Sequence, residues 1–144
     1  MKYSSEYIYI KKNLLLEIKL IRIKINMVDI NFPESLQAMQ KFSETYAKRT
    51  GTFFCSDLSI TAVVIEGLAR HKDEYGAPLC PCRHYDDKEA EVSSAYWNCP
   101  CVPMRERKEC HCMLFLTEDN EFSSNNQDIS INEILLHTNK SQSQ

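Results

Sequence analysis

The sequence lacks a strong charge imbalance, a long apolar run and a recognisable leader peptide. Its formal net charge of −3 is too small to indicate nucleic-acid binding. No segment reaches the roughly 18 uninterrupted apolar residues that a membrane helix needs. We also find no secretory signal with an apolar core and a small-residue cleavage site. We therefore expect a reducing compartment, where clustered cysteines bind metal or catalyse reactions rather than form a disulfide scaffold.

Residues 1–26 differ in charge from the rest of the chain. They carry six lysine or arginine residues against two glutamates. We interpret them as an N-terminal extension, with Met27 as an alternative first residue. A basic membrane-surface segment or a targeting peptide is the other interpretation, although a transit peptide should be richer in serine and poorer in acids. The alternation of residues 18–25 favours a strand.

The rest of the chain has the composition of a globular protein, with 43% hydrophobic and 26% charged residues. Its length indicates one domain, which we place at residues 27–122. Helical spacing, caps and breakers predict short helices over residues 33–50, 57–75, 87–96 and 103–109, with Gly51 and Gly76 ending the first two. Strand signals are weak. Residues 123–144 are interpreted as a polar tail that frays, with room for one short helix over residues 131–136 after the N-cap Ser130.

Six of the seven cysteines form three Cys-x-Cys pairs, which are the most informative feature of the sequence. They are separated by 16 and then 8 residues, and they read Cys80-Pro81-Cys82, Cys99-Pro100-Cys101 and Cys110-His111-Cys112. Six thiols can supply four ligands to one metal centre and leave two for a disulfide. The pattern therefore predicts a redox enzyme in which a metal cluster lies beside a dithiol.

The one-residue spacing favours a centre larger than a single ion, since structural zinc sites usually space their ligands Cys-x2–4-Cys. A proline between two cysteines fixes its own φ and holds the preceding cysteine extended. The sulfurs of Cys80 and Cys82 then point in different directions. Because two residues span at most about 7 Å, a free thiol whose pair-mate binds the metal stays near it. The residues alone leave open which four of the six thiols are ligands.

Residues 77–85 and 96–112 closely resemble the catalytic (beta) chain of ferredoxin–thioredoxin reductase. That family has Cys-Pro-Cys, sixteen residues, Cys-Pro-Cys, eight residues and Cys-His-Cys, and this sequence keeps all three motifs and both gaps. The similarity covers roughly residues 32–122. It implies a mainly α-helical, single small domain whose loops converge on an iron–sulfur cluster.

The resemblance also implies roles for the cysteines. One 4Fe–4S cluster would be bound by Cys80, Cys99, Cys101 and Cys110. The redox-active disulfide would join Cys82 to Cys112. Reduced ferredoxin would supply electrons one at a time, Cys82 would attack the disulfide of thioredoxin, and Cys112 would resolve the mixed disulfide.

The resemblance further implies partners and a location. The family pairs the catalytic chain with a variable (alpha) chain in a flat heterodimer, with ferredoxin and thioredoxin docking on opposite faces. It belongs to oxygenic photosynthesis, which implies the stroma of a chloroplast or plastid. The Ile-, Lys- and Asn-rich ends and the lack of a good transit peptide indicate a plastid-encoded chain. A cyanobacterial cytoplasm is the alternative.

Two histidines lie close to the cysteine motifs. His111 stands between a predicted ligand and the predicted resolving thiol, so we expect it to give or take the proton that the exchange requires. The alternative for His111 is a solvated loop histidine. We expect His84 to be structural or to face a partner.

Other residues in and beyond the motif region also have expected roles. Tyr96 and Trp97 should pack in the core around the cluster, with substrate contact as the alternative, and Cys55, outside the pairs, should be a small buried hydrophobe. Five basic residues would either steer an acidic ferredoxin or form part of a solvated, mixed-charge surface: Arg83, Lys88, Arg105, Arg107 and Lys108.

Two other functions compete with this interpretation. A zinc-binding structural or interaction module should be colourless and contain zinc without acid-labile sulfide. A simple iron–sulfur electron carrier should be brown, with a cluster signal that does not respond to alkylation of Cys82. Both leave two of the six paired cysteines unexplained.

Overall fold

The computed structural model describes residue 10, residues 12–20 and residues 32–141. The chain divides into two units, Met1–Asn31 and Phe32–Gln144. In the first unit, residues 12–20 are helical, so the strand prediction is wrong for residues 18–20; residues 21–25 lie outside the described residues. None of the helices in the described part of the chain is long and apolar enough to cross a membrane.

The second unit is built from five helices. They are α1 (Glu34–Thr50), α2 (Leu58–Tyr75), α3 (Lys88–Ser94), α4 (Val102–Arg107) and α5 (Ile131–Ser141). Within residues 32–141 the β-structure consists of three isolated antiparallel bridges. The prediction of a mainly α fold with weak strand signals is confirmed, and the first four helices begin and end within two residues of their predicted bounds.

The ends of α1 and α2 follow from local sequence. Gly51 and Gly76 take left-handed conformations with φ of 63° and 78° and end α1 and α2 respectively. Such conformations carry little steric cost only for glycine. At the start of α2, the carboxylate of Asp57 accepts a hydrogen bond from the backbone N–H of Ser59 at 2.9 Å. This cap satisfies one of the N–H groups that the first helical turn leaves free.

Helix α2 lies at the centre of the core and packs against both α1 and α5. Its residues Ala62, Ile65 and Leu68 are almost fully buried, whereas Val63 is 46% exposed. From α1, Leu36 and Met39 are buried and face the same core. The loop that follows α2 therefore starts from a well-packed helix.

Residues 124–141 are tied to this core, so the prediction that the segment frays is wrong for them; residues 142–144 lie outside the described residues. The backbone of Phe54 pairs with Ser124 and Asn126, and Ile129 and Ile134 are buried. The predicted N-cap is confirmed but the helix is longer, ending at Ser141. At its start, Ser130 and Glu133 exchange hydrogen bonds in a capping box. Residues 123–127 are polar, so the sequence did not indicate that this segment pairs with the backbone of Phe54.

Candidate functional site

The first two cysteine pairs are aligned by a short antiparallel bridge between Leu79 and Asn98. The N–H of Cys80 donates to the carbonyl of Trp97 at 3.0 Å, and the N–H of Cys99 donates to the carbonyl of Pro78 at 2.8 Å. Cys80 and Cys99, which are the first residues of the two Cys-Pro-Cys motifs, therefore lie side by side. The Cys99–Pro100 peptide bond is cis, and Cys101 is the N-cap residue of α4.

The third pair reaches the same place by a turn after α4. Lys108 takes a left-handed conformation with φ of 55° and ends that helix. The N–H of Met113 then donates to the carbonyl of Cys110 at 3.1 Å. The backbone N–H groups of Leu114 and Phe115 hydrogen-bond to the Cys110 thiol. Hydrogen bonds of this kind favour the thiolate, the form in which cysteine binds iron.

Five of the six paired cysteines line one cavity, together with apolar side chains that include Val64, Leu68, Met104 and Leu114. The five are Cys80, Cys99, Cys101, Cys110 and Cys112. All four predicted ligands are therefore in this lining. In residues 32–141, no three cysteine, histidine or acidic side chains are grouped closely enough to hold a single metal ion.

The cavity lining fits an iron–sulfur cluster by its chemistry, because such clusters are held by cysteine thiolates within an apolar shell. Cys82 stands apart from the other paired cysteines, since it is outside the lining and exposed to solvent.

Cys112 lies between the cavity and the exposed Cys82. All seven cysteines are free thiols, and the Sγ atoms of Cys80 and Cys112 are 2.9 Å apart. The Cys82 thiol lies near those of Cys112 and Cys80 and influences the pKa values of both. The structure thus brings the predicted disulfide partners Cys82 and Cys112 close together, and it places Cys80 against Cys112.

Because the thiols of Cys80, Cys82 and Cys112 lie close together, their pKa values differ widely. Hydrogen bonds from Cys112 and Cys82 lower the pKa of Cys80 to about 3. The pKa of Cys112 is raised, because its thiol proton is donated in a hydrogen bond to Cys80 and, with a smaller effect, to Cys82. For Cys82, the hydrogen bond with Cys112 lowers the pKa, but the bond to Cys80 and burial outweigh it and raise the pKa to about 12. One thiolate in the group is favoured, and its charge holds the neighbouring protons in place.

Cys99 and Cys110 are also held toward their protonated form. Burial raises the pKa of both thiols, and the charges of neighbouring cysteines add to the effect. Several thiolates in so small a space repel one another. A cationic metal centre would relieve that repulsion, because it replaces the protons as the counter-charge.

A solvent-filled groove of about 530 Å³ borders the cysteine cavity. His111 is exposed and lines both the groove and the cavity. The guanidinium of Arg83 lies over the ring of Trp97, 3.7 Å from its centroid. Tyr96 packs edge-on against Trp97 but is 43% exposed. The prediction that Tyr96 packs around the cluster is therefore wrong, because its outer face is on the surface.

The other predicted site residues lie on the surface or, for Cys55, in the core. The His84 side chain is almost fully exposed, 3.8 Å from Asp86. Arg107 pairs with Glu109 at 3.0 Å, and the Lys108 ammonium donates to the carbonyl of Thr50. Cys55 is 1% exposed, which confirms that it is a buried small hydrophobe.

Three residues that hold the Cys80 loop carried no signal in the sequence analysis. Gly67, His71 and Tyr85 all contact the stretch from Leu79 to Pro81. The spacing of Gly67 and His71, one helical turn apart within a predicted helix, was the only available hint. Their contacts depend on where the loop folds back onto α2, which the local pattern does not specify.

A small helical domain that gathers six thiols from three loops, with one thiol exposed beside five that line a cavity, is typical of a cysteine-based redox protein. A sequence model of the ferredoxin thioredoxin reductase catalytic beta chain matches residues 30–137. The chain belongs to this family.

Individual members of the family are similar over most of their length. The ferredoxin-thioredoxin reductase catalytic chain of Pyropia yezoensis is 80% identical over 100 residues, which cover 69% of this chain and 86% of the relative. That of Synechocystis sp. is 75% identical over 96 residues, covering 67% and 81%. The chloroplastic catalytic chain of Oryza sativa subsp. japonica is 68% identical over 107 residues, covering 74% and 73%.

Proposed function

We propose that this chain is the catalytic subunit of a reductase that takes electrons from ferredoxin and reduces the disulfide of thioredoxin. Membership of the family supports the reaction class. The observation that carries the proposal is the position of Cys82, which is exposed and lies near Cys112, while Cys112 lines the cavity of the other four paired cysteines. Such a thiol can meet a protein substrate while its partner stays beside the metal centre.

Within the proposal, four of the cavity cysteines hold one 4Fe–4S cluster: Cys80, Cys99, Cys101 and Cys110. One-electron transfer to the neighbouring disulfide is the chemistry that the cluster would supply when bound. The chain supplies the thiolate ligands, and the apolar side chains of Val64, Leu68 and Met104 exclude water from them. Cys112 shares the cavity without being needed as a ligand, which leaves it for the disulfide with Cys82.

The thiol chemistry of the cycle balances with two electrons. The resting Cys82–Cys112 disulfide takes up two electrons and two protons to become a dithiol. Deprotonated Cys82 attacks one sulfur of thioredoxin's disulfide, forming a mixed disulfide and releasing one thioredoxin thiolate, which takes up a proton. Deprotonated Cys112 then attacks the Cys82 sulfur, which re-forms the original disulfide and releases the second thioredoxin thiol. The exposed thiol attacks and the buried thiol resolves, in keeping with their places in the fold.

His111 is proposed to carry the proton in these steps. It lies between Cys110 and Cys112 in sequence, is exposed, and lines both the groove and the cysteine cavity. An imidazole can exchange protons with water near neutral pH. His111 can thus link the buried Cys112 thiol to solvent without opening the cavity.

The partners and location follow the same proposal. We infer a heterodimer with a variable chain, with ferredoxin as donor and thioredoxin as substrate, steered in part by Arg83, Lys88, Arg105, Arg107 and Lys108. The relatives include chloroplastic proteins, which supports a chloroplast stroma, with a plastid-encoded chain; a cyanobacterial cytoplasm fits the Synechocystis relative. The catalytic domain was predicted at residues 27–122, and we propose that it also includes residues 123–141, because Ile129 and Ile134 belong to its core; residues 1–26 are proposed to be an extension.

Serine variants of Cys82 and Cys112 test the proposal, with Cys55→Ala as the matched control for loss of a cysteine. Each variant is produced with the variable chain, and its iron, acid-labile sulfide and visible spectrum are measured alongside thioredoxin reduction. We expect Cys82→Ser and Cys112→Ser to keep the cluster and to lose reduction. Cys112→Ser should in addition trap a mixed disulfide between Cys82 and thioredoxin.

The same measurements separate the competing functions. Loss of iron from Cys82→Ser would show that the ligands are assigned wrongly. Zinc without acid-labile sulfide in the wild-type protein would favour a structural module. A brown protein in which Cys82→Ser still reduces thioredoxin would remove Cys82 from the mechanism.

A further inference from the structure

The loop that carries Cys80 and Cys82 is seated on one face of α2. Gly67 and His71 are four residues apart on that helix and so lie on the same face. A Cβ atom added to Gly67 would lie 2.7 Å from the Cβ of Pro81 and 3.0 Å from its Cγ. The ring of Pro81, which stands between the two cysteines, therefore fills the space that a side chain at position 67 would occupy.

One turn further along α2, His71 holds the peptide unit that precedes Cys80. His71 is 5% exposed, and its Nδ1 lies 2.7 Å from the carbonyl oxygen of Leu79. A carbonyl can only accept, so Nδ1 carries the proton and Nε2 is the acceptor. Nε2 in turn lies 3.3 Å from the ammonium of Lys88. Both ring nitrogens are thus used, and the tautomer is fixed from two sides.

Tyr85 holds the next peptide unit of the loop. Its phenol Oη donates to the carbonyl oxygen of Cys80 at 2.8 Å. Two consecutive carbonyls, those of Leu79 and Cys80, are therefore each fixed by a side chain from outside the Cys80-Pro81-Cys82 motif. These bonds set the direction of the Cys80 side chain, because consecutive peptide planes determine the orientation of the Cα–Cβ bond between them, and the Pro81 contact fixes the residue that precedes Cys82.

We propose that Gly67, His71 and Tyr85 are positioning residues that set the Cys80-Pro81-Cys82 loop, with Cys80 directed to the cavity and Cys82 to solvent beside Cys112. The catalytic meaning of this placement rests on the proposed function. None of the three residues is proposed to touch thioredoxin or to carry electrons. Their effect is on the distance and angle at which Cys82 meets Cys112 and the substrate disulfide.

Replacements that differ by single hydrogen bonds test the proposal in the cluster-loaded heterodimer. His71→Asn keeps an N–H donor near the position of Nδ1, whereas His71→Phe keeps the ring and loses the donor. Tyr85→Phe removes only the bond to Cys80 and is mild enough to keep the protein folded. Tyr75→Phe is the matched control, since Tyr75 lies on α2 and its ring packs against His71, but it makes none of the loop contacts.

Two readouts are compared for each variant. The first is kcat and KM for thioredoxin. The second is the rate at which iodoacetamide alkylates Cys82 in the reduced protein, followed by mass spectrometry, which needs no turnover. A misplacement of reacting groups by 1 Å can lower a rate by about 10²-fold, so we expect His71→Phe and Tyr85→Phe to lower kcat by about 10-fold to 10²-fold with little change in KM.

The alkylation rate of Cys82 should also change in His71→Phe and Tyr85→Phe. In His71→Asn and Tyr75→Phe the geometry of the site is kept, so turnover and alkylation should both stay within about 2-fold of wild type. Wild-type rates of turnover and alkylation in His71→Phe and Tyr85→Phe would overturn the inference. If His71→Phe does not fold, Tyr85→Phe with a wild-type alkylation rate overturns it alone. A wild-type heterodimer that does not reduce thioredoxin would instead count against the proposed function, and the alkylation comparison would still decide the positioning role.

Discussion

The contact between Gly67 and Pro81 makes Gly67→Ala the most informative small change in the protein. In an ordinary helix interior, replacing glycine by alanine stabilises by about 1 kcal/mol. Here the added Cβ would lie 2.7 Å from the Pro81 Cβ. An ordinary carbon–carbon contact is about 3.5–4.0 Å, so the loop and the helix must separate by about 1 Å.

That separation reverses the expected gain in stability and affects the chemistry more strongly. Overpacking of this kind costs about 1–3 kcal/mol, and the higher helix propensity of alanine offsets about 1 kcal/mol of that cost. The free energy of unfolding should therefore change by between about 0 and −2 kcal/mol relative to wild type. The loop carries Cys80 and Cys82, so a shift of about 1 Å should lower thioredoxin reduction by up to about 10²-fold. The variant should therefore be less stable than wild type by at most about 2 kcal/mol and much slower.

The assay compares Gly67→Ala with Val63→Ala, a control that also introduces alanine on α2 but at a side chain that is 46% exposed. Thermal unfolding by circular dichroism and steady-state turnover are measured for both heterodimers. We expect the control to match wild type in turnover. A Gly67→Ala protein that is more stable than wild type and fully active would refute the reasoning, because it would mean that the Pro81 ring does not occupy that space.

The remaining predictions concern the helices that support the site. Asp57→Ala should lower the unfolding temperature at pH 7, whereas Asp57→Asn should not, because an amide oxygen can replace the cap. Hydrogen bonds from Ser59 lower the pKa of Asp57. The Asp57 carboxylate therefore contributes its full stabilisation above the ordinary pKa of about 3.9, and this stabilisation is lost as the pH falls through the lowered pKa. The difference in unfolding temperature between wild type and Asp57→Ala should thus close in acid. A difference that widens in acid would contradict the assignment. Ile134→Ala should lower the free energy of unfolding by about 2–5 kcal/mol, since Ile134 is fully buried. Leu136→Ala, at a side chain that is 54% exposed, should change it by less than about 0.5 kcal/mol, and equal effects at the two positions would contradict the packing of α5.

Much of the fold could be predicted because its signals are local. Asp57 and Gly76 mark the two ends of α2 by chemistry that acts within a few residues. Pro103 near the start of α4 acts in the same way. The C-terminal segment was predicted wrongly because its support is non-local: Gln127 donates to the carbonyl of Thr52, 75 positions earlier. A polar sequence that pairs with a distant backbone resembles one that is simply solvated.

In the candidate site, too, the features with local signals could be predicted and those that depend on the fold of the loops could not. The spacing of the cysteines predicted that they would converge, and five of them do line one cavity. The choice of ligands and of the disulfide came from the family resemblance, since three loops can bring six sulfurs together in several ways. The positioning contacts of His71 and Tyr85 could not be predicted, because they join residues that are 8 and 5 positions from their acceptors through a fold of the loop. The exposure of Tyr96 was missed because an aromatic residue beside a motif has the same local pattern on the surface as in the core.

The central claim is that Cys82 and Cys112 form the reducible bond while the other four paired cysteines bind the cluster. Peptide mapping by mass spectrometry tests it directly, using the heterodimer isolated without reductant and alkylated before it is unfolded. The account predicts a single cross-linked peptide pair that joins Cys82 to Cys112. A bond between Cys80 and Cys112, whose Sγ atoms lie 2.9 Å apart, or unlinked Cys82 in the resting protein, would contradict it.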